Sequence, residues 1–191
     1  MRFIQEEFMS KDLEDRQALS PPGMLTLPTD VTRLPNGNTL IADGGDWTGF
    51  GSEVIEVDPA GKIVWMYGEG LIFAHSAKLT VKGNILIADT TNNRIIEVNR
   101  EGKMIWTSES WRNGLGTLSD GSRFSYPNDA EETPEGRILV SDRNNDRIVE
   151  FDREGRIFWA YDKLSRPHNA DRLPNGNTMV SLRNFSMVAE V

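Results

Sequence analysis

The sequence predicts an all-β fold built from a repeated four-stranded unit, and three observations carry that prediction. A glycine-anchored motif recurs four times, a second motif running from a glycine to a tryptophan follows three of the copies, and short alternating apolar runs lie between them. The first motif reads LPNGNTLIAD (34–43), TVKGNILIAD (80–89), TPEGRILVSD (133–142) and LPNGNTMVSL (173–182), with Gly37, Gly83, Gly136 and Gly176 in register. The second reads EVIEVDPAGKIVW (53–65), RIIEVNREGKMIW (94–106) and RIVEFDREGRIFW (147–159), placing its glycine 24, 19 and 19 residues after the first. The fourth copy reaches MVAEV (187–191), in register with RIVEF.

Each repeat resolves into elements in a fixed order. A mixed polar and apolar run enters the first glycine turn. An apolar strand such as TLIAD follows, then another such as RIIEV, then the second glycine turn and a last strand ending in tryptophan. Glycine, asparagine and aspartate at the turns between short alternating strands specify antiparallel meanders. A repeat of 40–53 residues holding four strands is the pattern of a β-propeller blade, and it excludes leucine-rich and helical repeats. The prediction is therefore a β-propeller of about four blades of four antiparallel strands over residues 28–191. The last blade is incomplete, as in part of a larger propeller. Residues 1–27 read as an acidic, partly helical leader, broken from the first blade by SPPG (20–23).

Composition narrows function by exclusion. The formal charge is −8 with no basic stripe, so nucleic acid is not an expected partner. No apolar run approaches the ~18 residues of a membrane helix. The acidic N-terminus lacks the apolar segment of a signal peptide, which makes the cytoplasm the default expectation. Zero cysteines exclude disulfides and thiolate metal sites. The Asp/Asn-rich turns lack the spacing of a calcium loop, so no metal and no cofactor is expected.

Position within a blade fixes which residues reach the channel mouth. Eight residues before the anchor glycines stand Thr29, His75, Asn128 and His168, where the chain enters each inner strand, and the only two histidines both fall in this column. Pro28, Ala74, Pro127 and Pro167 precede them; Asp30, Ser76, Asp129 and Asn169 follow. A rim of imidazoles, amides and carboxylates is the expectation. Two readings of the column stay open: a histidine carried along by duplication to bond a neighbouring blade's backbone, or a ligand site, which better explains the departures to threonine and asparagine.

Other features read as scaffold. Asp89 with Arg94 and Asp142 with Arg147 bracket Asn-rich turns and form loop-shaping pairs, and Trp65, Trp106 and Trp159 repeat in register as blade packing. Trp47 lies in an insertion of the first blade. Trp111 lies in the long connection 107–126, TSESWRNGLGTLSDGSRFSY, which reads as a lid over the mouth.

The segment PHNADRLPNGNTMVSL (167–182) and its relatives resemble the repeats of arylsulfotransferase-type propellers, and NNRIIEVNREG and NNDRIVEFDREG resemble NHL repeats. The first resemblance implies a channel histidine that attacks a sulfate ester and passes the sulfuryl group to a phenol. It nominates His168 and His75 as catalytic, with Asn128 as a donor to the sulfate oxygens; the column, its flanks and the long connection add Thr29, Asn169, Arg166 and Trp111 around a small anionic aromatic ligand. The chemistry suits these residue types, since a neutral imidazole is nucleophilic near pH 7 and fixed donors stabilise the transferred group. The second resemblance implies a non-catalytic scaffold that binds a protein or small ligand at the same mouth. Exposed blade edges would add self-association.

Overall fold

The computed structural model describes residues 25–191 apart from Trp47, Gly49 and Leu115; most of the expected leader and the insertion tryptophan lie outside the described residues. Fifteen strands are present among the described residues, in four antiparallel meanders. Blade 1 holds β1 (Pro28–Arg33), β2 (Thr39–Asp43), β3 (Glu53–Val57) and β4 (Ile63–Tyr67). Blade 2 holds β5 (Ala74–Leu79), β6 (Ile85–Asp89), β7 (Arg94–Val98) and β8 (Met104–Thr107). Blade 3 holds β9 (Pro127–Glu132), β10 (Ile138–Asp142), β11 (Arg147–Phe151) and β12 (Ile157–Tyr161). Blade 4 has three strands, β13 (Asn169–Arg172), β14 (Thr178–Leu182) and β15 (Met187–Glu190). Strand order follows chain order within every sheet. The protein is a β-propeller whose last blade has three strands among the described residues.

The anchor glycines make the first hairpin. Their φ values of +87, +82, +77 and +89 lie where a Cβ is strained, and each glycine amide closes a turn onto the residue three before it, as Gly37 does onto Leu34 at 3.0 Å. The tryptophans share one register. Trp65 pairs with Glu56, Trp106 with Glu97 and Trp159 with Glu150, and each pair is followed by a bulge. Those glutamates hold side chains from the first turn: Glu56 accepts from Asn38 at 2.6 Å, Glu97 from Asn84 at 2.7 Å and Glu150 from Arg137 at 3.2 Å. The expected loop pairs are also in place, with Arg94 on Asp89 at 2.8 Å and Arg147 on Asp142 at 2.9 Å, both carboxylates fully buried.

The chain divides into two compact units, Met1–Ala77 and Lys78–Val191, the division falling inside β5. In the first unit, Leu40, Ala42 and Val54 are fully buried. In the second, one cluster joins Leu86, Ala88 and Ile95 of blade 2 to Ala130, Ile138, Val140, Val149 and Phe151 of blade 3, and another joins Leu139 and Ile148 of blade 3 to Ala170, Val180 and Leu182 of blade 4.

The connection 107–126 belongs to the first of these clusters. Trp111, Leu118 and Phe124 are buried in it. The Trp111 ring lies 5.2 Å from Phe151 edge-on and 5.7 Å from Trp106, and both indole N–H groups donate to the Arg153 carbonyl, at 2.8 and 2.9 Å. Gly155 is required beside it, because a Cβ there would sit 2.9 Å from the Trp111 ring. Trp111 and Phe124, which read as part of a lid, are inside the packing between blades 2 and 3, where Trp111 is a packing residue. Aromatic surface of this size stabilises more by burial than it could as an exposed cover.

Candidate functional site

Each unit carries its own part of the predicted column. In the first, the Thr29 hydroxyl lies 2.8 Å from the Ala74 carbonyl and 3.2 Å from that of Ala42, so it donates between the start of β5 and its own blade. Beside it, Asp30 accepts the Ala77 amide at 3.2 Å. His75 is half-buried on β5, its ring tilted 6.0 Å from that of Phe73.

In the second unit, the same clasp recurs between blades 3 and 4, where Asp129 accepts the Ala170 amide at 3.3 Å. This bond ties β9 to β13 and sets Asn128 and His168 at matching places on neighbouring inner strands. Asn128 is buried at 2% exposure and its Oδ1 has no hydrogen-bond partner. The His168 amide donates to the Ser181 carbonyl at 2.9 Å, which holds its backbone to β14. Burial, followed by the neighbouring Arg183 and Arg143 guanidinium groups, holds the His168 imidazole below its ordinary value of 6.5. The ring is therefore neutral near pH 7.

Arg143 and Arg183 each open the short 3-10 turn after the second strand of their blade, and Arg143 lies 5.5 Å over the Tyr126 ring. Neither was expected from the sequence. The signal was available, since both stand seven residues after an anchor glycine and the count that found the histidines would have found them. Of the remaining expected residues, Arg166 is exposed with φ +48, its amide held by Asp146 Oδ1 at 2.8 Å. Asn169 donates its amide to Ser181 Oγ at 3.1 Å, and its Oδ1 is buried without a partner.

Further along the inner strands sits an acid. Burial pushes the Glu131 carboxyl up to about 7, against the pull of the Arg172 amide, with Asp129 and Asp171 adding to the rise and Lys78 opposing it. The Arg172 amide reaches Glu131 Oε1 at 2.6 Å. Among the described residues no group of three or more histidine, aspartate or glutamate side chains could hold a metal ion, and no described helix is long and apolar enough to cross a membrane.

No protein-family model matches the chain, and no curated protein matches it by sequence. Solved structures do match. A streptogramin B lyase aligns at a TM-score of 0.62 and 15% identity, over 90% of this chain and 55% of its own. A catalytically inactive histidine-to-alanine variant of virginiamycin B lyase from Staphylococcus aureus, with quinupristin, aligns at 0.59 and 15% identity, over 88% and 56%. The WD40 β-propeller domain of Doa1 aligns at 0.63 and 12% identity, over 85% and 50%. At these identities the likeness shows the fold. The chain spans about half the length of each of these structures.

Proposed function

We propose that His168 is the nucleophile of a sulfuryl-transfer site acting on a small aromatic sulfate ester, as the arylsulfotransferase resemblance implies. One observation carries the reading: a half-buried imidazole kept neutral by burial and by Arg183 and Arg143. The two guanidinium groups disfavour imidazolium and also supply the positive charge that an anionic ester needs on a protein of net charge −8. In the first step a ring nitrogen attacks sulfur, an N–S bond forms, and the S–O bond to the aryl group breaks with release of phenolate, which takes a proton from water. In the second, an acceptor phenol gives its proton to solvent and attacks the same sulfur, and the N–S bond breaks. Asn128, in the matching place on the neighbouring blade, is the candidate to orient a sulfate oxygen. The proposal rests on His168 and does not draw on His75. The virginiamycin B lyase variant lends support of a general kind, being a histidine substitution in a similar fold that is inactive.

A second reading is an NHL-like binding scaffold, and a specific observation favours it. Thr29, Asp30 and Asp129 all serve blade-to-blade bonds, so part of the polar rim is architecture.

The test is transfer from 4-nitrophenyl sulfate to phenol. Sulfuryl transfer predicts nitrophenolate release that His168→Ala abolishes with the fold intact, and an acid-labile adduct on the imidazole when donor is supplied alone. Because the imidazole pKa is lowered, activity should persist as pH falls to 6.5 and decline only below it. Absence of both adduct and turnover across a panel of aryl sulfates selects the scaffold.

A further inference from the structure

We propose that the face of blade 4 opposite blade 3 docks the first blade of a second copy of this chain, joined head to tail as successive blades are joined within it. The argument starts from what each blade presents to the next. Leu86 and Ile95 of blade 2 are fully buried against Ala130, Ile138 and Val140 of blade 3. Leu139 and Ile148 of blade 3 occupy the same repeat positions and are fully buried against Ala170 and Val180 of blade 4. In blade 4 those positions hold Met179 and Val188, which are 36% and 63% exposed. A residue pair that is dry in two copies of a repeat and wet in the third marks an interface that lacks its partner.

The polar part of the joint repeats the pattern. Asp30 takes the Ala77 amide and Asp129 takes the Ala170 amide, each reaching from one inner strand to the next. Asn169 stands in that place in blade 4, and its Oδ1 is buried without a hydrogen-bond partner. An unpaired buried acceptor costs stability of the order of a lost hydrogen bond until a donor arrives. Once the Asn169 side chain turns toward the open face, its oxygen can accept a backbone amide of an incoming inner strand, as Asp30 and Asp129 do.

The same chain carries the complementary half. Val31 of β1 stands where Ala77, Ala130 and Ala170 stand in the later blades, and it pairs with Ile41 in the register that Ala170 keeps with Val180. Those alanines are 2%, 0% and 1% exposed, whereas Val31 is 66% exposed. Valine is larger than alanine, and the unbranched Met179, in place of the leucine of blades 2 and 3, can repack to admit it. A head-to-tail joint uses different surfaces on the two partners, so it propagates to a closed or open assembly rather than stopping at a symmetric pair.

Sedimentation velocity on the whole chain over a range of concentrations tests this. The expected result is concentration-dependent assembly, with Val31→Glu and Val188→Glu each weakening it at least tenfold while leaving the far-ultraviolet spectrum and melting temperature unchanged, since both side chains are exposed. The decisive measurement mixes the two variants. Val31→Glu retains an intact blade 4 face and Val188→Glu an intact blade 1 face, so the mixture should form heterodimers and nothing larger. A wild-type chain that stays monomeric throughout overturns the proposal. A mixture that stays monomeric while the wild type assembles also overturns it, because the contact would then be symmetric or elsewhere.

Discussion

In blade 3 the turn after the second strand is closed by Asp142, which accepts Asn145 at 2.8 Å and Arg147 at 2.9 Å. In blade 4 the same three places hold Leu182, Phe185 and Met187. The turns nevertheless match: each is a short 3-10 segment, Arg143–Asn145 or Arg183–Phe185, ending in a left-handed residue, Asp146 at φ +56 or Ser186 at φ +50. The polar set is therefore not what makes the turn. The hairpin ladder positions the backbone, and the side chains then add stability to it or leave the site apolar. Blade 3 is buried on both sides and fully clasped; blade 4 has kept the path and changed the chemistry.

The largest effect that would break this comparison comes from the core. Phe151 is fully buried between blades 2 and 3, so Phe151→Ala should lower unfolding free energy by about 3–5 kcal/mol in urea titration. Val191 occupies the corresponding place in blade 4, and Val191→Ala should cost about 1 kcal/mol or less. Equal losses would show that blade 4 packs as tightly as blade 3.

Next in size is the buried clasp. Asp142→Ala takes from Arg147, whose side chain is 11% exposed, its buried partner, leaving it only Asp120 at 3.1 Å and Ser122 at 2.8 Å, and removes the acceptor of the Ser125 amide at 2.8 Å. A loss of about 3 kcal/mol is expected, and an effect below about 1 kcal/mol would mean that the pair is as dispensable as its absence from blade 4 makes it look.

A pH measurement sharpens the comparison along the inner strands. The Glu131 carboxyl, with an ordinary value of 4.5, is raised to about 7 in the folded protein. Between those two values the unfolded chain has ionised while the native one still holds its proton. Stability is thus fully present below the unfolded value and is lost as pH rises through about 7, by on the order of 2–3 kcal/mol. Glu131→Gln keeps the oxygen that accepts the Arg172 amide and should flatten the pH–stability curve in that window. A slope unchanged in the variant would assign it to another group.

The smallest stability effect belongs to Phe185→Ala. With Phe185 58% exposed, its unfolding free energy should stay within about 0.5 kcal/mol of the parent. A larger loss would mean that the apolar set at this turn is already packed.

Which parts of the fold could be read in advance follows from which interactions are local. The glycine turns, the tryptophan register and the Asp–Arg pairs involve residues close along the chain, and each left a fixed spacing: Asp89 and Arg94 are five apart, as are Asp142 and Arg147. The connection 107–126 was misread because Trp111, Leu118 and Phe124 follow neither a period of two nor one of 3.6, and a glycine-rich polar segment with scattered aromatics looks the same whether they face water or core. The bonds from Asp30 to Ala77 and from Asp129 to Ala170 span 47 and 41 residues; their carboxylates were visible, but their purpose appears only when the next strand is beside them. The site was legible in part. Counting back from the glycines put His168 and Asn128 in one column; the same count carried seven residues forward reaches Arg143 and Arg183, but nothing local says that those turns lie near the inner strands.

The joint between blades has a consequence for how such a gene can change. Its polar half is a side-chain carboxylate on one repeat and a main-chain amide on the next, as in Asp129 with Ala170. Every residue but proline supplies a main-chain amide, so the receiving repeat contributes its donor whatever its sequence, provided the side chain at that position stays small. Repeats can therefore be duplicated, deleted or exchanged in lineages of this kind without new partner side chains arising at the seam. Three of the four copies carry the same small residue at that position, Ala77, Ala130 and Ala170, while the rim residues beside it differ from copy to copy.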